Sequence, residues 1–253
     1  MDMTTETLQH IENQALTAAS KKVYTDEKGQ QFLIGSDVRP YHRDGHADDS
    51  ITTSTLSSIV TYIESGMDRR SHVLIHVVSP NEVKLLSDLD DYGAREELMV
   101  AQPTNDAVRW GHYYDRESMN IILQSSFQST SDGTTTDDRD AIIKFIGNLV
   151  QDNNSVHVQD DGVTQSANIR QGVASQAEAK VPNPVLLKPY RTFTEVDQPE
   201  SHFIFRIDSD MEAALFEADG GAWRQVAINN IKEYLTNSLE DLSDVDKKVT
   251  ILG

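Results

Sequence analysis

The sequence predicts an α+β fold, with mainly antiparallel sheets and amphipathic helices packed against them. Three observations carry this. Helix-period and strand-period segments come in blocks, without regular βαβ alternation. Short turn-like linkers join neighbouring strand segments, as hairpins require. Apolar residues make up 38% of the 253-residue chain, at the low end for a globular protein but enough for a core.

The first 50 residues read as a helix and an irregular arm. Leu8, Ile11, Ala15 and Ala18 follow helical spacing over 5–20. A short strand is expected at "QQFLIGS", and "SDVRPYHRDGHADDS" reads as a loop. A helix is expected over 54–65, with Ser54 as N-cap, one apolar face of Leu56, Ile59, Val60 and Ile63, and Gly66 as the stop.

"SHVLIHVVS", "EVKLLSDLD" and "REELMVAQP" read as three strands joined by short turns, so an antiparallel meander is the simplest pairing. Within the first, Val73, Ile75 and Val77 make the better core face. "YDRESMNIILQSSFQ" predicts a helix starting near Asp115. A polar loop, "STSDGTTTDD", leads to another helix capped by Asp137 or Asp138, with Ile142, Ile146, Leu149 and Val150 on one face.

After 151 the character changes. "SVHVQ" and "TQSANIRQG" flank the Asp-Gly turn of "DDGV". "SQAEAKVPNP" reads as an extended crossing because of Pro182 and Pro184. "VLLKPYRTFTEV" and "SHFIFRIDS" flank "DQPE" as a second hairpin, and "AALFEA" adds a strand. A long helix over 221–239 places Trp223, Ala227, Ile231, Tyr234 and Leu235 on a face, and "KKVTILG" is a final strand. The region 51–253 is thus one α+β region, and a division near 151 into two subdomains is left open.

Composition bounds the function classes. The formal charge is −19, from 41 acids and 22 bases, a field that repels phosphate backbones and disfavours general nucleic-acid binding. Clustered carboxylates could mimic DNA or hold metal, but a self-repelling soluble surface is the simpler reading. Cysteine is absent, which removes disulfides and thiolate chemistry. No apolar run is long enough to span a membrane. The start "MDMTTETLQH" lacks a signal-peptide pattern, so a cytoplasmic location is expected.

"QDDGVTQSANIRQGVAS", "VPNPVLLKPYRTFTEVDQPESHFIFRI" and "LFEADGGAWRQVAINNIKEYL" together resemble an uncharacterised phage and prophage family, the YfdQ-like domain of unknown function. "SHVLIHVVSPNEVKLLSDLD" and "DRESMNIILQSSF" extend the resemblance from about residue 54 onward. It implies an accessory protein acting inside a bacterial host, in an early, nucleic-acid-processing or counter-defence context. It supplies no catalytic residues.

Four sets of residues draw attention as chemistry. His42, Asp44, His46 and Asp48 would share one side of an extended chain and suit a divalent metal, although Gly45 favours a turn. Asp160 and Asp161 could bind magnesium, but Asp-Gly is first a turn signal. Lys188 and Arg191 could hold a phosphate, with Tyr190 or Phe193 stacking on a base and Glu195 nearby, which makes this segment the candidate small-ligand site. In "LFEADGGAW", Asp219 is expected to cap the helix while Gly220 and Gly221 allow a sharp bend.

No H-E-x-x-H, G-x-S-x-G or Walker-type loop occurs, which lowers the expectation of an enzyme. The leading expectation is a non-enzymatic, self-associating accessory protein without cofactor that binds a host or phage protein or a small nucleotide-like ligand. Homo-oligomers would cover its aromatic-rich strand edges. A carboxylate- or metal-dependent hydrolase using Asp160, Asp161, Glu217 and Asp219 is the alternative. A structural, shell-forming protein is a third reading.

Overall fold

The computed structural model describes residues 51–67, 72–90, 93–104, 108–130, 137–148, 158–160, 164–171, 175–208, 210–240 and 248–253. Before these it describes positions 5, 7–11, 14, 22–27, 31–34, 39–40, 47 and 49–50. The fold is α+β, with antiparallel and mixed sheets.

In the N-terminal region β1 (Lys22–Thr25), β2 (Gln31–Ile34) and β3 (Arg39–Pro40) form an antiparallel sheet. Only β2 was legible as a strand. Thr7–Ile11 are helical, with Leu8 and Ile11 half exposed.

The first core is built on a five-stranded sheet. It contains β4 (Ile51–Thr53), β5 (His72–Ser79), β6 (Glu82–Ser87), β7 (Glu97–Ala101) and, from the far end of the chain, β15 (Lys248–Leu252), in the order β15-β5-β6-β7-β4. The expected meander β5-β6-β7 is antiparallel, but the two outer pairs, β15–β5 and β4–β7, are parallel. Val73, Ile75 and Val77 face inward as their alternation predicts. Helix α1 (Ser57–Ser65) covers this face with Ile59, Val60 and Ile63, joined by Leu56. It ends at Gly66, left-handed at φ 59°.

The second core surrounds a four-stranded sheet. Helix α2 (Arg116–Ser125) contributes Met119 and Leu123, and β8 (Phe127–Gln128) contributes Phe127. Helix α3 (Asp138–Asn148) adds Ile142, Phe145 and Ile146. Asp115 caps α2, accepting the Glu117 and Ser118 amides at 3.0 Å. Asp137 caps α3, accepting the Asp140 amide at 2.7 Å.

Strands β9 (Val158–Asp160), β10 (Thr164–Gln171) and β11 (Ser175–Pro182) form an antiparallel sheet. β11 replaces the expected crossing: its polar, alanine-rich sequence hides a strand whose full length pairs with β10. The four-stranded sheet is completed by β12 (Val185–Pro189), β13 (Ser201–Ile207) and β14 (Ala213–Glu217), in the order β14-β13-β12-β8.

Helix α4 (Trp223–Glu240) then returns to the first core with Ile231 and Leu235, and β15 closes the chain beside β5. The cores therefore do not divide the chain near 151. Residues 116–148 belong to the second core, and 223–252 return to the first. Local composition could not reveal this, because core membership follows from long-range packing. Each fully buried large side chain contributes about 1.5–3 kcal/mol.

The expected long strand "VLLKPYRTFTEV" stops at Pro189. Residues 190–200 form a loop that spans the two cores. Phe193 and Val196 enter the first core, and the Thr192 hydroxyl donates to the Pro80 carbonyl at 2.6 Å. Buried Gln198 holds the loop from inside. Its amide donates to the Phe193 and Val196 carbonyls at 2.9 and 3.2 Å, and its carbonyl accepts the Arg191 amide at 3.1 Å.

The cap of α1 also differs from expectation. The helix starts at Ser57 with Leu56 at its N-cap, two residues after Ser54, and has no local side-chain cap. Glu195 supplies one from the 190–200 loop, accepting the Leu56 and Ser57 amides at 2.6 and 2.8 Å.

Candidate functional site

The loop places Arg191, itself buried, at the centre of an ionic network that reaches the surface at Glu217. The Arg191 side chain is 9% exposed. Nη1 donates to Glu217 Oε1 at 2.8 Å, Nη2 donates to the Ser201 hydroxyl, and Asp219 lies 4.0 Å away. The guanidinium also stacks on Trp223, 3.9 Å from the ring centroid, with Phe203 at 5.7 Å. Burial pulls the Arg191 pKa down to about 10, while Glu217 and Asp219 act to raise it. The group remains a cation at neutral pH.

Asp219 completes the network. Its carboxylate accepts the Ser201 hydroxyl at 2.7 Å and the Gly221 amide at 3.0 Å. Burial opposes its ionisation, but these hydrogen bonds and the Arg191 charge outweigh it, so its pKa lies below the ordinary value. Helix α4 starts at Trp223, and Asp219 takes the Trp223 amide as well as the Gly221 amide, so it serves both the turn and the first amide of the helix. Gly220 and Gly221 make that turn at φ 62° and 83°. Thus "KPYRTFTEV" and "LFEADGGAW", read separately in the sequence, are one constellation.

Beside the network lies a cleft of about 150 Å³, lined by Asn81, Pro103, Val108, Trp110, Pro189, Tyr190 and Arg191. The walls come from the β5–β6 turn, the segment after β7 and the end of β12, so both sheets contribute. Trp110 is set by the second core, 4.8 Å from Phe203 and edge-on to Phe127 at 6.2 Å. Tyr190 is 37% exposed.

The candidate ligand residues therefore separate. Tyr190 and Arg191 reach the cleft. Lys188 lies on β12, paired with Asp197 at 3.3 Å and near Glu200 at 3.8 Å. Phe193 is fully buried in the first core and offers no face to a stacking base. Glu195 is committed to capping α1. A phosphate at Arg191 would compete with the two carboxylates that already compensate its charge.

Glu217 and Asp219 do converge, but on a guanidinium, where a metal would meet a cation instead of a vacancy among ligands. His42, Asp44, His46 and Asp48, and Asp161, lie outside the described residues; Asp160 is in β9. No group of three or more His, Asp or Glu placed to hold a metal occurs among the described residues. Nor is any described helix long and apolar enough to cross a membrane.

Sequence reasoning missed Trp110, Asn81, Ser201 and Gln198. The aromatic run "WGHYYD" was the available signal for Trp110. Nothing local marked Ser201 or Gln198, whose roles depend on distant partners. Comparison with known proteins identifies no relative: no family model, curated protein or solved structure matches the chain.

Proposed function

We propose that the protein is a non-enzymatic binding protein whose cleft receives one anchoring side chain of a protein partner. The observation that carries this reading is the cleft's size combined with its walls. Small-molecule sites usually enclose about 300–1,000 Å³. A cleft of about 150 Å³ walled by Trp110, Tyr190, Pro103 and Pro189 suits a single ring. Tryptophan, tyrosine and arginine are also the residues that dominate protein interfaces.

The internal compensation of Arg191 favours an uncharged aromatic or proline anchor over a phosphate. The −19 charge favours a basic partner, which it would attract from a distance. A phage or prophage accessory role inside a bacterial cell, in an early or counter-defence setting, is part of this proposal and rests on the family resemblance.

The test compares the full-length protein with Tyr190→Ala. Both are used to capture partners from phage-carrying cells, and the binding of a basic partner captured by the wild type is then titrated directly. The substitution should weaken that binding by tenfold or more without lowering the melting temperature. Equal affinities would remove the cleft from the interface.

A further inference from the structure

We propose that the protein forms a symmetric dimer by pairing β15 with β15 of a second copy, making one continuous sheet. This goes beyond the cleft reading and does not depend on it.

β15 is the end strand of the five-stranded sheet, and no described strand pairs with its outer edge. Its exposure alternates along the strand. Lys248, Thr250 and Leu252 are exposed, while Val249 and Ile251 are partly buried and pack on the first core. An edge of this kind leaves a row of backbone donors and acceptors open to a further strand. Among the other edges of the four- and five-stranded sheets, β8 and β4 are shorter, with two and three residues. β14 is already bridged, through Ala213, to Tyr114.

The sequence of β15 is complementary to itself. Continuing a sheet about a two-fold axis requires antiparallel strands, and residues on the same face must oppose each other. An axis through Thr250 pairs all five residues. Thr250 then faces Thr250 of the second copy, a favourable hydroxyl pair. Lys248 faces Leu252, so no like charges meet. Val249 faces Ile251 on the inner side, which joins the two first cores through apolar contact. An axis through Lys248 would instead oppose two ammonium groups.

The chains repel each other overall at −19 apiece, so salt should tighten the dimer by screening. The test is sedimentation velocity of the full-length protein across a micromolar concentration series at low and high salt. Wild type should dimerise, more tightly at high salt. Thr250→Lys places two ammonium groups opposite each other at the axis and should weaken the dimer about tenfold or more. Leu252→Glu faces Lys248 of the second copy and should strengthen it roughly threefold. Both positions are exposed, and unchanged melting of each variant under monomeric conditions verifies the fold. A wild type that stays monomeric throughout, or a dimer indifferent to both substitutions, would overturn the proposal.

Discussion

The Glu195 carboxylate accepts the Leu56 amide at 2.6 Å across 139 positions of sequence. Its other oxygen takes the Ser57 amide at 2.8 Å. One side chain from the second half of the chain thereby satisfies the start of a helix in the first half. Glu195→Ala leaves those amides without this acceptor and should cost about 1–2 kcal/mol. The urea midpoint would show it. Ser54→Ala should change the midpoint far less, because Ser54 does not cap the helix.

Arg191 is a stronger case. Arg191 is buried but Glu217 is partly open to solvent, so removing the cation strands its partners at a cost of about 1–3 kcal/mol, below that of a fully buried pair. Arg191→Met should destabilise by that order. Arg191→Lys should recover only part of the loss, since an ammonium cannot reproduce the fork to Glu217 and Ser201 or the stacking on Trp223. Equilibrium denaturation of the three proteins orders them.

Asp219 makes stability depend on pH in a defined direction. Its folded pKa is lower than its unfolded one, so its contribution is complete above the unfolded value and is lost as pH falls through the folded value. The loss should begin near about pH 4, the ordinary aspartate range. Asp219→Asn should therefore flatten the decline of stability below that pH, measured as urea midpoints down an acid series. The slope will not vanish, because Asp137 is shifted the same way: hydrogen bonds from the Asp140 and Thr130 amides outweigh its burial.

The two turn glycines should respond differently to alanine. Both have positive φ, a strain for any L side chain, and a methyl at Gly220 meets open space. A methyl at Gly221 runs into the Arg224 guanidinium, which lies 5.1 Å from the Trp223 ring centroid. Displacing that cation should make Gly221→Ala about 0.5–1 kcal/mol worse than Gly220→Ala. In an Arg224→Ala background the difference should disappear, a result that thermal melts of the double variants can read.

Local pattern determined much of this protein. Alternation in "SHVLIHVVS" marked the inward face of β5, Asp115 marked the start of α2, and the spacing of Trp223, Ala227, Ile231 and Leu235 marked the buried stripe of α4. These features depend on neighbours within a few residues, so a period of two or 3.6 suffices to read them. Tertiary structure alone decided the rest. It ended β12 at Pro189, gave Glu195 to a distant helix, and drew Arg191, Ser201, Glu217 and Asp219 into one network. It also returned α4 and β15 to the sheet of the first half. A charged residue in a loop looks the same in sequence whether it meets water, a ligand or a buried partner. Only the folded chain brings up the opposite charge that settles which.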